Sequence, residues 1–569
     1  MPPTDLVLAA RVLMREHGLE PSFPEPVQRE VRALTEALPL DPNEQVRDLR
    51  QWAWSSIDNP ESRDLDQLEY AQLAHDGTIR LFIAIADVSS RVQRGSATDQ
   101  HAGVNTVSVY TGVVVFPMLP ERLSTDLTSL NPLEDRLALV TAFDVDPDGE
   151  LANPNVFRAL VRNQVKLDYP SVGAWLDGRA KPPEALAAST ELTQQLTWQD
   201  DAAQRLEHVR RRAGALNIET LEARPVMANG RVIEIACVEP NRARELIENF
   251  MVSANVVMAG FLEAHGLPAI RRIVRTPKRW DRIVEIAAET GDTLPDQPDS
   301  RALSSFLERR RMADPANFPD LSLTIVKLLG PGEYVMERPN QDESGHFGLA
   351  LAEYTHSTAP NRRYPDLVVQ RLARAALENA PAPYLEWELE SIATHCTEQE
   401  NAARKVERTM RKKAAALLLS DRVGESFPAI VTGASVKGTY VRLLRPPVEG
   451  RVMRGAEGLD VGMTVRVRLL GVDVQQGYID FETSAASRER KLERSKRKKA
   501  MAARLTGRIG ETFDAVVTGV TERGAWVRTS DDVEGLIVRG SDGLKVGAAV
   551  RVRLVSADAV HGFIDFARH

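Results

Sequence analysis

The stretch GESFPAIVTGASVKGTYVRL, beginning at Gly424, returns as GETFDAVVTGVTERGAWVRT from Gly510, 86 residues later. Glu449-Gly450 recurs as Glu534-Gly535, VRVRL at 465–469 recurs at 550–554, and GYIDF at 477–481 recurs as GFIDF at 562–566. These later matches lie 85 residues apart, so one residue is lost between the copies. Matches in one order at one period indicate a duplicated structural unit. Each copy carries about five short β-runs with glycine turns over roughly 60 residues, the size and texture of a five-stranded OB barrel. Two such barrels are predicted, at 424–483 and 510–569.

Between the copies, RERKLERSKRKK at 488–499 holds eight basic and two acidic residues. Within a basic linker at 484–508 it reads either as a solvated helix or as a phosphate-binding segment. Over the whole chain, 72 Lys+Arg stand against 80 Asp+Glu, a net charge of −8. That excludes a strongly basic DNA-coating protein and leaves room for a local basic groove. Two distant cysteines, Cys237 and Cys396, exclude a disulfide scaffold and a Cys-based metal cluster, and suit a reducing compartment. A membrane helix needs roughly 18 consecutive apolar residues, and none is read in the sequence. The opening MPPTDLVLAARVLMREHG carries Asp5 and has no basic n-region, unlike a secretory signal. A cytoplasmic protein with no membrane partner is expected.

A length of 569 residues predicts three to five domains. Residues 4–17 read as a helix with Leu6, Val7, Ala10, Leu13 and Met14 on one stripe, closed by Gly18. Val27, Val31, Leu34 and Leu38 give a second stripe. Residues 1–45 therefore form a short helical N-terminal module, either helix-turn-helix-like or a cap on the main domain. From 50 to 420 the texture is mixed. Leu68–Leu73 and Thr78–Val88 are β-rich runs joined by His75-Asp76-Gly77, a hairpin signal. Helices are predicted at 200–213, 241–264, 365–378 and 386–420. No linker interrupts this region, and it reads as one large α+β domain; the whole chain is multidomain α+β.

The chemistry-bearing stretch is SSIDNPESRDLDQLEY at 55–70. Asp58, Asp64 and Asp66 fall within nine residues, and in extended chain Asp64 and Asp66 point to one side. Clustered carboxylates repel, and a hard divalent cation gives them a reason to converge. Loops are acidic by default, so this spacing alone decides nothing. Further blocks follow: RLFIAIADVSSRVQRGSATDQHA at 80–102, SVYTGVVVFPMLPERLSTDLTSLNPLEDRLAL at 108–139, ARELIENFMVSANVVMAGFL at 243–262 and HFGLALAEYTHSTAPNRRYPDLVVQRL at 346–372. In order and spacing they resemble the catalytic domain of the ribonuclease II (RNB) family of 3′→5′ exoribonucleases. The terminal barrels resemble the S-one-type OB modules that usually end such chains.

The resemblance implies a large mixed α/β RNB catalytic domain over 50–420. It implies Mg²⁺-dependent hydrolysis of single-stranded RNA to nucleoside 5′-monophosphates, in RNA turnover or processing. Asp58, Asp64 and Asp66 match aspartates that bind catalytic magnesium, and Gln67 stands where a fourth aspartate is usual. Two ions are expected during catalysis, with Mn²⁺ as a substitute. Asp66 and Arg362 match the catalytic pair, Arg362 on the scissile phosphate. Tyr110 matches the tyrosine that stacks on the 3′-terminal base. Tyr169, Glu248, Glu407 and Arg363 match further substrate-binding positions; core packing or surface pairing describes these residue types equally well. Tyr440 and Trp526, equivalent in the two barrels, are either stacking platforms or barrel filling. A monomer is expected, and no protein partner is inferable.

Three departures accompany the resemblance. Gln67 removes a charge from the acidic cluster. Pro360-Asn361-Arg362 replaces the usual Pro-Ile-Arg, and Gln370 stands where histidine is common. The 50 residues before the main domain are too few for the cold-shock-like barrels usual there, and near Ile218 the chain is aliphatic where a second stacking aromatic is sought. Gln67 motivates an alternative: a catalytically impaired RNB-fold RNA-binding protein.

Overall fold

The structure is a computed structural model. It describes all residues except 1–4, 41–44, 220–221, 229–230, 239, 316, 341–344, 436–437, 460, 484–498, 522–523, 531–532, 542–543, 546 and 559–562. Nearly all of the RERKLERSKRKK segment thus lies outside the described residues. The chain divides into two compact units, one built from residues up to 308 with 318–415 and 475–477, the other from 309–317, 416–474 and 478–569.

Two helices, α1 (Leu6–Glu16) and α2 (Glu25–Ala33), begin the first unit. Asp5 caps α1 through its side chain, accepting from the backbone amides of Val7 and Leu8. Val27 and Val31 of α2 belong to the same buried core as the main sheet. Asn105, in α3 (Ala97–Asn105), accepts from the Glu20 amide at 2.8 Å and ties the turn after α1 to this unit. These helices therefore pack as a cap. The second is shorter than its stripe suggests, because Leu34 turns to extended backbone at ψ 139°.

The central sheet has seven strands: β1 (Val46–Asp48), β2 (Ser55–Asp58), β3 (Gln67–Leu73), β4 (Ile79–Ala86), β7 (Asp135–Val145), β8 (Leu151–Arg162) and β9 (Val165–Asp168). A small hairpin of β5 (Val109–Tyr110) and β6 (Val115–Phe116) stands outside it. The order is β1-β8-β7-β4-β3-β2-β9. The His75-Asp76-Gly77 turn joins β3 and β4 in register, Leu73 opposite Ile79 and Gln67 opposite Ile85. Strand β4 is almost wholly buried, as its apolar run Leu81–Ala86 requires. β2 pairs in parallel with β9, Asp58 opposite Asp168, and so sets the first aspartate at a strand end.

Helices α4 (Tyr169–Leu176), α5 (Glu184–Ala187), α6 (Thr190–Ala213) and α7 (Arg242–Ala264) follow, the last two separated by the hairpin of β10 (Glu222–Ala228) and β11 (Arg231–Val238). α7 is long and apolar enough to cross a membrane, with mean hydropathy 1.2, which corrects the reading that no such run exists. Of that window 67% is buried inside the protein, and Phe250, Val257, Met258 and Leu262 pack into the main core. It is the central core helix. Strands β12 (Ala269–Ile273) and β13 (Glu333–Glu337) pair, and between them come α8 (Trp280–Glu289), α9 (Ser300–Ala313) and α10 (Phe318–Leu329) around Trp280, Phe306 and Phe318. α11 (Tyr364–Leu377) and the 34-residue α12 (Glu386–Leu419) complete the helices.

In the second unit, β14 (Ser426–Ser435), β15 (Gly438–Leu443), β16 (Glu449–Arg454), β17 (Thr464–Asp473) and β18 (Tyr478–Thr483) close a barrel in the order 14-15-16-18-17. Its repeat, β19 (Thr512–Thr521), β20 (Gly524–Thr529), β21 (Glu534–Arg539), β22 (Ala549–Asp558) and β23 (Phe563–Arg568), closes identically. Both first strands carry a bulge at the same place, Val431/Gly433 and Val517/Gly519. The repeated Glu-Gly has a steric cause. A Cβ on Gly535 meets the Phe566 ring at 2.5 Å and the Ile564 carbonyl at 2.6 Å; at Gly450 it meets Phe481 and the Ile479 carbonyl in the same way. Overpacking of this kind costs about 1–3 kcal/mol. Gly535→Ala is therefore expected to speed hydrogen exchange at the β21 and β23 amides at least about fivefold. Unchanged exchange contradicts the close-approach explanation.

Candidate active site

Asp58 ends β2, and the chain turns through Pro60 and Glu61 to bring Asp64 and Asp66 back before β3. The turn is held from three sides. Lys166 on β9 donates to the carbonyls of Pro60 at 3.0 Å and Ser62 at 2.5 Å. Ser129 donates to the Arg63 carbonyl at 2.8 Å and accepts from the Leu65 amide at 3.0 Å. The Leu130 amide donates to the Leu65 carbonyl at 2.9 Å. Ser129 and Leu130 are the first half of the Ser-Leu-Asn-Pro block, which thus works as a clamp on the acidic turn. A wide π-type turn at Arg122–Leu127, in the Pro-Glu-Arg-Leu-Ser block, feeds this clamp; such turns recur at functional sites.

Asp58 accepts from the Asn59 amide at 2.6 Å and the Ser62 hydroxyl at 2.9 Å. Burial still raises its pKa, and the Asp64 charge adds to the rise. Asp66 is 3% exposed. It accepts from the Asn361 amide at 3.3 Å, and the Arg362 Nε lies 3.3 Å from its second oxygen. Burial pushes its pKa up to about 7 in spite of that guanidinium. Asn361, the departure from Pro-Ile-Arg, is fixed by a 2.6 Å hydrogen bond between its side-chain oxygen and the Thr128 hydroxyl. Gln370, the other departure, donates to the Ala86 carbonyl at 2.7 Å and accepts from Ser89 at 2.9 Å, so it clamps backbone at the end of β4.

Tyr110 stands 43% exposed on β5. Its hydroxyl donates to Asp64 at 3.3 Å, and its amide donates to Glu407 on α12 at 2.8 Å. Asp58, Asp64, Asp66, Tyr110 and Arg362 thus come together, with Glu407 placing the tyrosine strand. Tyr169, 9% exposed at the start of α4, carries the Arg244 guanidinium 4.3 Å from its ring centre. Arg244 donates to the Asn59 side chain at 2.7 Å, so this pair borders the acidic turn.

Two candidates lie elsewhere. Arg363 turns to the fully buried Asp366, donating at 2.7 Å, and braces the loop before α11. Glu248 sits at a separate pocket on α6 and α7, with Arg210 at 3.4 Å and Ile218 in the lining. The donors around the acidic turn are all oxygens, which fits a hard divalent cation. Among the described residues, no three His, Cys, Asp or Glu side chains stand as a ready metal cage. Gln67 begins β3, half-buried.

The RNB domain profile matches residues 46–379. This chain belongs to the RNB family. The profile of the RNase II-type exonuclease C-terminal S1 domain matches 425–484 and 511–569, one match per barrel. Ribonuclease R 1 of Lactococcus lactis is 30% identical over 491 residues, covering 81% of this chain and 59% of that protein. Ribonuclease R of Aquifex aeolicus is 29% identical over 508 residues, covering 84% of this chain and 71% of its own. The chain therefore spans less than two thirds of the first relative's length. The apo form of Mycoplasma genitalium RNase R has the same fold, with a TM-score of 0.75 at 24% identity over 84% of this chain and 78% of that one.

Several residues of this RNB site were not read from the sequence. Lys166, Ser129 and Arg244 act through backbone contacts and ring faces that sequence spacing does not encode. Glu69, fully buried on β3 with neither carboxylate oxygen hydrogen-bonded among the described residues, was visible only as one more acid. On the barrels, Tyr440 is 39% and Trp526 40% exposed, so neither fills a core. Tyr478 and Phe563, 61% and 63% exposed, are a second equivalent pair, signalled by the GYIDF/GFIDF repeat itself.

Asp66 gives a pH test. Its ordinary value is 3.8 and its folded value about 7, so the folded protein binds the extra proton between them. Its contribution to stability is then full below the ordinary value and is lost as pH rises through the folded one. In chelator, wild-type melting temperature is expected to fall more steeply than that of Asp66→Asn from about pH 4 to about pH 7. Parallel profiles contradict the buried, proton-holding Asp66.

Proposed function

We propose that this chain is a 3′→5′ exoribonuclease that hydrolyses single-stranded RNA to nucleoside 5′-monophosphates, in RNA turnover or processing. The observation that carries the reading is the convergence of Asp58, Asp64 and Asp66 with Tyr110 and Arg362 in an RNB fold. Tyr110 offers an exposed ring for the 3′-terminal base, anchored by its hydroxyl and by Glu407. Stacking on such a ring tolerates every base. Arg362, 45% exposed, meets Asp66 through Nε, and its planar fork suits a phosphate. Asp66, buried and 3.3 Å from the Arg362 Nε, is placed to orient the attacking water. Asp58, Asp64 and Asp66, with the Gln67 carbonyl, would hold Mg²⁺ or Mn²⁺, which activates water and neutralises charge on the phosphate and the leaving 3′-oxygen. Outside the site, Tyr440, Tyr478, Trp526 and Phe563 give the barrels stacking faces for the strand.

The impaired-protein alternative rests on Gln67 alone, while the three aspartates, Tyr110 and Arg362 are all retained, and it is not favoured. With 5′-labelled single-stranded RNA and Mg²⁺, Asp66→Asn is expected to lose at least ~10²-fold in hydrolysis, the scale of losing one group that stabilises transition-state charge. Its RNA affinity is expected to stay within about threefold, since binding rests on stacking and phosphate contacts. Equal hydrolysis by both proteins would sink the assignment.

A further inference from the structure

We propose that Arg244, at the start of α7, contacts a phosphate of the bound RNA strand, a different one from the scissile phosphate assigned to Arg362. The inference rests on the RNA-hydrolysing reading above and adds to it a second cation beside the acidic turn.

Arg244 lies in the first turn of α7, where a positive side chain opposes the helix dipole, so helix stability does not account for it. Arginines nearby are paired: Arg242 with Asp200 at 2.6 Å, Arg224 with Glu61 at 2.6 Å and Arg210 with Glu248 at 3.4 Å. Arg244 has no carboxylate at ion-pair distance among the described residues; its acceptor is the neutral side-chain oxygen of Asn59, 2.7 Å from Nη2. Nε is buried without a hydrogen-bond partner, while Nη1 is not enclosed and is unbonded among the described residues. A guanidinium presents its N–H donors in a rigid fork that matches phosphate. Here most of that fork is unspent.

The fold sets this cation against the acidic turn by direct contacts. Asn59 follows Asp58, and its amide donates to the Asp58 carboxylate at 2.6 Å. Asp58 is in register with Asp168 across β2 and β9, and Tyr169 comes directly after Asp168. The Arg244 guanidinium lies over the Tyr169 ring, 4.3 Å from its centre. Such stacking fixes the guanidinium while its edge donors stay available. Burial raises the pKa of the Tyr169 hydroxyl, and the charges of Asp58, Arg244 and Arg362 all reach it, which agrees with both arginines bordering one site. A nucleic acid strand carries a phosphate at every nucleotide. A strand that ends on Tyr110 with one phosphate at Arg362 therefore offers further phosphates to a second cation.

The rival assignment makes Arg244 a brace that acts only through Asn59, holding the turn as Lys166 and Ser129 do.

RNA binding by the full chain in chelator, where no strand is consumed, separates the two. The probes are 5′-labelled single-stranded RNAs in which one phosphate near the 3′ end is made uncharged as a methylphosphonate, at each position in turn. The nucleotide before it carries a 2′-methoxy group in both modified and control strands, which keeps the neutral linkage intact. Affinities are measured for wild type, Arg244→Gln, Asn59→Ala and Arg362→Gln. Wild type is expected to lose at least about tenfold at one linkage besides that of Arg362, the lower end for a hydrogen bond to a charged group. Arg244→Gln is expected to bind the control strand more weakly and to lose less than about twofold further at that linkage, the non-additivity of a direct contact. Its sensitivity at the Arg362 linkage is expected to stay. Asn59→Ala is expected to stay sensitive at both linkages, since the cation remains on Tyr169. If Arg244→Gln does not fold, Arg244→Lys replaces it: the charge is kept, the fork is lost, and a reduced sensitivity at the same linkage is expected. No second sensitive linkage in wild type, undiminished sensitivity in the Arg244 variants, or Asn59→Ala behaving as Arg244→Gln overturns this inference alone. No RNA binding by wild type overturns it together with the exoribonuclease reading.

Discussion

The carboxylates of Asp66 and Glu69 lie inside the protein with Asp58 half-buried, and the Arg362 Nε stands 3.3 Å from Asp66. Buried charge of one sign is expensive, by several kcal/mol per ion even after relaxation. The surrounding chain is arranged to bear that cost. Lys166 and Ser129 hold the 59–66 turn by its backbone, and Asn361, fixed by Thr128, presents an amide to Asp66. What remains uncompensated is a cluster of hard oxygen donors next to an exposed aromatic ring and a partly exposed guanidinium. Such a cluster is complementary to a divalent cation and to the phosphate end of a nucleic acid strand.

The sheet explains how so many distant segments meet there. Strand β2 enters between β3 and β9, and its last residue, Asp58, sits where the chain must turn back. β4 is buried along its length and anchors β3 in register, so the residues that open β3 are fixed as well. Arg362 and Asn361 arrive from the loop before α11, and the Arg362 carbonyl accepts from the Ser108 amide at 3.0 Å, close to Tyr110. The strand that carries Tyr110 and the loop that carries Arg362 are thus joined by a backbone contact.

Much of this was legible in the residues. The Asp-Gly turn between β-rich runs placed the β3–β4 hairpin, the helices expected at 241–264, 365–378 and 386–420 match α7, α11 and α12 while α6 begins ten residues before the expected 200, and the 86-residue period placed both barrels. Asp58, Asp64, Asp66, Tyr110 and Arg362 came from the block resemblance, and the fold brings them together. Arg363 shows the limit: neighbouring arginines look alike in sequence, but its partner Asp366 is set by the start of α11. Glu69 shows another. An acid at an inward strand position violates the apolar pattern, and such violations mark strained or functional positions. The N-terminal stripes gave helices but not their docking, because Val27 and Val31 bury against a core built by residues far along the chain.

An enzyme that grips a 3′ end and threads a single strand requires a free end. The direct measurement is degradation of one RNA sequence presented in linear and covalently closed circular form, with Mg²⁺ and the full chain. Mononucleotides are predicted from the linear RNA, with the circular form left intact. Cleavage of the circle at a comparable rate, or survival of both forms, would contradict a site built for the 3′ end of RNA.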